Sequence, residues 1–161
     1  MSTSIDEATG GVKITWSHPH DGSEQLTSYI IEIANLDTTQ WNEDSVNCSG
    51  DDPLATSCVI PMETLIADPY YLIFDQLVEA RVTAVNAYGP SPEASELNVD
   101  GARVRRKPSQ IPTVTVLSFT DTTATLSWDA LTGEDTGNSA ITSYEIYFDD
   151  ASGGTFVHLD S

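Results

Sequence analysis

Positive charge is scarce in this sequence: six Lys and Arg stand against 25 Asp and Glu in 161 residues, for a net charge of −19. Affinity for nucleic acid grows with the phosphates that Lys and Arg neutralise, so no nucleic-acid partner is expected. Long apolar runs are missing too. Leu, Ile, Val, Phe, Tyr and Trp fall in short clusters, none near the roughly 18 residues of a membrane-spanning helix. Lys, Arg and Gln, the usual fillers of exposed helix faces, are few, whereas Thr, Ser, Val and Ile are abundant. An all-β chain is expected. Met1–Gly10 has neither the basic stretch nor the apolar core of a secretory signal, which leaves a cytosolic chain or a part of a longer precursor. Disorder is excluded by three Trp, six Tyr and four Phe together with frequent β-branched residues, enough apolar surface to fold.

The chain repeats itself. Val12-Lys-Ile-Thr-Trp16 followed by Leu26-Thr-Ser-Tyr29-Ile-Ile-Glu-Ile33 returns as Ala124-Thr-Leu-Ser-Trp128 followed by Ile141-Thr-Ser-Tyr144-Glu-Ile-Tyr-Phe148. The offset is 112 residues at the tryptophans and 115 at the tyrosines, the length of a β-sandwich with an insertion. Each copy reads as an alternating strand ending on Trp, a polar loop, and a second alternating strand carrying the Tyr. Between the copies lie Ser57–Pro61, Tyr70–Phe74 and the long run Leu77–Gly89. In that run Val78, Ala80, Val82, Ala84 and Asn86 share one face. Ser95–Val104 reads as a further strand, and Pro108-Ser-Gln-Ile-Pro112 as a stiff connector. Thr113–Leu117 and Ala124–Ser127 are expected as the opening strands of the second copy.

The order Trp16, Tyr29, then Ala80-Arg-Val-Thr-Ala-Val-Asn-Ala-Tyr-Gly89 and Ser95 resembles a fibronectin type III domain, and the second copy resembles the first half of another. The resemblance implies immunoglobulin-like β-sandwiches in tandem, with Trp16 and Trp128 as core anchors, Tyr29 and Tyr144 packed beside them, and Val82 and Ala84 in the core. The family's corner tyrosine falls here at Val78, so its hydrogen bond must be absent. Asn47-Cys-Ser-Gly, Ser57-Cys-Val-Ile-Pro-Met, Asp75-Gln-Leu-Val and Gly101-Ala-Arg-Val together are similar to tandem arrays in very large surface proteins of unicellular eukaryotes. The modules are then 1–107, in which strand A is expected to be missing because the first eleven residues are so polar, and 113–161, the first half of a second module, joined by the proline linker 108–112. Half a sandwich leaves an open edge and an apolar face. A longer continuous array would complete it; so would strand complementation between subunits, giving a fibre.

Within this resemblance Cys48 and Cys58 are expected as a disulfide in an oxidising compartment, against the alternative of two free thiols. Asn47-Cys48-Ser49 is an N-glycosylation sequon, and the Ser/Thr stretches at Thr120–Thr123 and Ser91 are candidates for O-linked sugars. His18 and His20 around Pro19, with Asp21, lack a third nitrogen or sulfur ligand, and no metal is expected there. Among the acids no nucleophile with a partnered acid and base is recognisable. The pairs Glu43-Asp44, Asp51-Asp52, Glu134-Asp135 and Asp149-Asp150 offer oxygens to Ca²⁺, but none fits the Asp-x-Asp-x-Asp-Gly loop, and a solvated acidic face explains them better. Arg103, Arg105, Arg106 and Lys107 hold four of the six basic residues. They are expected to form an outward stripe touching the acidic surface of a neighbouring module or another copy of the chain. The leading expectation is a non-enzymatic structural module of an extracellular surface fibre or coat. The alternatives are a spacer module of a secreted enzyme and a receptor or adhesion ectodomain binding protein or glycan, for which Trp41 is the one candidate anchor.

Overall fold

The computed structural model describes residues 1–149 and 155–159. The chain divides into two compact units, Met1–Arg105 and Arg106–Ser161. This division falls ahead of the proline stretch 108–112, which lies inside the second unit.

The first unit is a two-sheet sandwich. One sheet has the order β1-β2-β5, built from Ser2–Ile5, Val12–Thr15 and Ser57–Ile60; the other has the order β4-β3-β6-β7, built from Trp41–Glu43, Leu26–Ala34, Ala80–Asn86 and Gly89–Pro90. All pairings are antiparallel. Alternation drives the packing: Val12 and Ile14 of β2, Tyr29, Ile31 and Ile33 of β3, Ile60 of β5 and Val78, Ala80 and Val82 around β6 meet between the sheets. Each fully buried aliphatic side chain here contributes about 1.5–3 kcal/mol. Arg81 and Glu32 oppose one another on the outer face of β6 and β3, joined by two 2.8 Å bonds. A single helical turn, α1 (Met62–Leu65), follows β5 after Pro61 and buries Leu65.

Two expectations are corrected. Strand A is present: β1 pairs with β2 from Ser2↔Thr15 to Ile5↔Val12. Its buried side chain is polar. Thr3 is buried, and its hydroxyl accepts bonds from the Asn98 amide and from Ala102 N–H, each at 3.1 Å, so hydrophobic alternation does not mark it. Ser95–Val104 is not a continuous strand. Only Gly89–Pro90 and an isolated bridge from Leu77 to Arg103 are β-paired. Backbone bonds remain from Ser95 N–H to Val82 O and from Val78 N–H to Ala102 O, and beside them side chains stand in for backbone. Ser95 Oγ accepts Val82 N–H at 3.0 Å, and Asn98 Oδ1 accepts Ala80 N–H at 3.0 Å.

In the second unit β8 (Val114–Phe119) pairs with β9 (Ala124–Trp128), with a bulge between Val116 and Ser118, and β10 (Tyr147–Phe148) pairs with β11 (Val157–His158). A 3-10 turn at Gly133–Thr136 lies between the two pairs. Only the end of the expected strand 141–148 is paired. Among the described residues of this unit no strand stands where β5 and β6 flank β2 and β3 in the first, so the segment from Ile141 lacks the partner that orders β3.

Candidate interaction surface

The repeated Trp–Tyr pair forms in both units: Trp16 and Tyr29 meet edge to face at 5.4 Å between centroids, Trp128 and Tyr144 at 5.7 Å. Their surroundings differ. Trp16 is 7% exposed and Tyr29 2%, whereas Tyr144 is 38% exposed. In the second unit Val114, Val116, Leu117, Phe119, Phe148 and Phe156 are also exposed. Among the described residues, this unit therefore leaves more apolar surface open to water than the first.

In the first unit β2 ends, β3 begins and β6 ends around a cleft of about 580 Å³. Trp16, Tyr29, Leu26, Val82 and Ala84 form its wall, with Asp21 and Glu93 on its rim. Tyr29 Oη lies 2.7 Å from His18 Nδ1. Burial raises the Tyr29 pKa, an effect partly offset by the nearby Trp16 ring N–H, which itself makes no hydrogen bond of good geometry. His20 turns away and accepts Gly22 N–H at 3.0 Å, so the two imidazoles serve different neighbours. Among the described residues no group of three or more His, Cys, Asp or Glu is arranged around a common metal position.

Cys48 and Cys58 are joined by a disulfide with their Cα atoms 5.4 Å apart. The bond fastens a loop that crosses from β4 to β5 over the edge of β3. There Gly50 O accepts Tyr29 N–H at 2.8 Å. Gly50 sits at φ 72°, and a Cβ on it would overlap Tyr29 O, so only glycine fits. Asp44, 6% exposed, starts this loop by accepting Val46 N–H and Asn47 N–H, each at 2.9 Å, and Asn47 Nδ2–H at 2.7 Å. Its carboxylate is therefore engaged within its own loop. Asn47 Nδ2 faces Asp44; a sugar on that nitrogen would leave one N–H for the bond. The Asp149-Asp150 pair is described only at Asp149, since Asp150 lies outside the described residues.

In the basic run Ala102 and Val104 point inward and Arg103 is exposed as alternation requires, whereas Arg105, expected to face outward, is half-buried. Arg103 Nη1 donates to Asp75 O at 2.6 Å, and Arg105 lies 3.9 Å from Glu7. In the second unit Arg106 Nη2 donates to Glu134 O at 3.4 Å, and Lys107 is exposed. Trp41 is half-buried under the Arg81 guanidinium, 4.5 Å from its ring centroid, which makes it a packing partner of the Arg81–Glu32 pair. Thr3 and Asn98 were not marked by the sequence pattern, Asp44 only as half of an acidic pair and Gly50 only as the end of the Asn47-Cys-Ser-Gly run; a lone Thr or Asn in a polar stretch carries no periodic signal.

No family model matches the sequence. The structure is similar to the crystal structure of the chicken CNTN1 FN1-FN3 domains, with a TM-score of 0.46 and 19% identity over 98% of this chain and 50% of that one. This chain thus spans about half the length of that fragment. The first unit's sheet order, three strands facing four with β4 beside β3, is that of a fibronectin type III-like sandwich. The chain is all-β apart from its short turns of helix. No helix among the described residues is long and apolar enough to cross a membrane.

Proposed function

We propose that this chain is a non-enzymatic structural segment of an extracellular surface fibre or coat, whose β-sandwich modules assemble end to end. The observation that carries the reading is the second unit's open apolar face. The positions that β5 and β6 cover in the first unit are solvated around Trp128 and Tyr144. Strands from another subunit would bury them, a head-to-tail contact that propagates as a filament. The Cys48–Cys58 disulfide supports an oxidising compartment, Asn47 is the proposed glycan acceptor, and the Arg103–Lys107 run supplies a basic contact for an otherwise acidic polymer.

Electron microscopy of the 161-residue chain at several salt concentrations, with its intact mass measured alongside, tests the proposal. Regular filaments of unmodified chains are expected. Dispersed particles at every salt concentration would refute completion between subunits.

A further inference from the structure

Only six side chains in this protein can direct a protease that reads Lys or Arg. Lys13 is central in β2, paired on both sides by Ser4 and Val59. Arg81 is inside β6, its guanidinium held by Glu32. The other four form the run Arg103-Val-Arg-Arg-Lys107. Arg103 is held in a β-bridge to Leu77, and Val104 after it is bonded on both sides, its N–H to Gln76 O and its carbonyl to Asp75 N–H. Lys107 precedes Pro108, whose ring removes the N–H and restricts the backbone before it, so the bonds flanking Arg106 are the ones such an enzyme is offered outside β-pairing.

Those bonds are clasped by the turn that begins at Gly133. Arg106 N–H donates to Gly137 O at 3.2 Å, and Ser109 N–H donates to Asp135 O at 2.9 Å. Gly137, at φ 69°, packs its α-carbon directly against the Arg106 carbonyl, and any Cβ there would overlap Arg106 O. A protease binds its substrate as an added strand, which requires this carbonyl and N–H to be free. We infer that Arg103–Lys107 is a cleavage site for a serine endoprotease selective for paired basic residues, kept shut by the Gly133–Gly137 turn. In the step itself water adds its hydroxyl to the Arg106 carbonyl carbon and a proton to the Lys107 nitrogen, separating 1–106 from 107–161. Cleavage then follows the opening of the clasp. The inference stands apart from filament formation, since it concerns a single chain.

The test is a time course of the full chain with trypsin in native buffer, with fragments weighed by mass spectrometry. The first fragments are expected to end on either side of Arg106, at least about tenfold more slowly than in a synthetic peptide of residues 100–112. Gly137→Val should accelerate the same cut about tenfold or more, because both the positive φ and the contact forbid the side chain. Ser109→Pro removes one clasp donor without entering a core, and should accelerate it as well, so the result does not depend on the fold of the valine variant. With Arg105 and Arg106 both changed to Gln, the chain should survive the same exposure. First cuts at Lys13 or Arg81 would overturn the inference, as would wild-type cleavage as fast as the peptide, or both clasp variants cut at the wild-type rate.

Discussion

Replacing Asn98 isolates the device that substitutes for a last strand. The Asn98 amide accepts Ala80 N–H and donates to Thr3 Oγ1, Val78 O and Asp100 O, all within 3.1 Å, while Asn98 itself is 7% exposed. Asn98→Ala leaves Ala80 N–H buried without an acceptor. Val78 O keeps a 3.5 Å contact with the Thr3 hydroxyl, and Thr3 still receives Ala102 N–H. One fully orphaned donor, one weakened acceptor and a small cavity amount to about 2–4 kcal/mol. At a urea slope of about 2 kcal/mol per molar, the first unit's midpoint should drop by about 1–2 M, followed by tryptophan fluorescence. Asn98→Asp provides the internal control. It keeps an oxygen facing Ala80 N–H but places a carboxyl against two carbonyl oxygens, which raises its pKa in the folded state. Such a group contributes least above its folded pKa, so the aspartate variant should regain stability as the pH falls towards 4, the ordinary range of a carboxyl. An alanine variant within 0.5 kcal/mol of wild type, or an aspartate variant insensitive to pH, would refute the claim that side-chain bonds replace the strand.

Reducing the Cys48–Cys58 bond should destabilise the first unit by about 3 kcal/mol on the chain-entropy account and speed amide exchange at Tyr29, whose N–H is capped by the loop at Gly50; unchanged exchange would show that the loop holds itself. Trp16→Ala should cost about 3–5 kcal/mol, as for a well-buried aromatic, and Trp128→Ala clearly less, since its side of the sandwich is open; equal losses in separate calorimetric transitions would contradict the exposure difference. Burial, with Asp44 and Glu43 nearby, pushes Tyr70 up to about 12. The neutral phenol is favoured in the fold, so this contribution is intact below the ordinary phenol pKa near 10 and is lost as pH rises from there towards 12. Absorbance of tyrosinate should show the latest-titrating component disappear in Tyr70→Phe.

Much of this was legible because alternation and the repeated Trp–Tyr spacing report directly on buried faces. β2, β3, β6 and β9 follow from them, as does the inward face Val78, Ala80 and Val82. The misses share a cause. β1 hides because its inward residue, Thr3, is paid for in hydrogen bonds rather than apolar area, and the stretch from Ser95 reads as a strand although Ser95 Oγ and the Asn98 amide take over the pairing. α1 is a single turn, too short for a 3.6-residue period to show. The loop held by Gly50 depends on one backbone conformation and one close approach, neither of which leaves a pattern in sequence. In the second unit the alternation from Ile141 is present, but alternation specifies a strand only when a neighbour exists to pair with it.

The link between Thr3 and Ala102 also has a mechanical meaning. β1 runs away from the cleft at the Met1 end, and the stretch 102–104 finishes at the opposite end beside Asp75 and Gln76, tied by Val78 N–H to Ala102 O at 2.9 Å and Val104 N–H to Gln76 O at 2.9 Å. These bonds lie across the strands. Tension applied between Met1 and Arg105 therefore pulls the first and last segments lengthwise past their neighbours and loads the bonds together, instead of peeling them one at a time. Thr3 couples the two loaded segments through its single hydroxyl, so a pull on one is passed to the other.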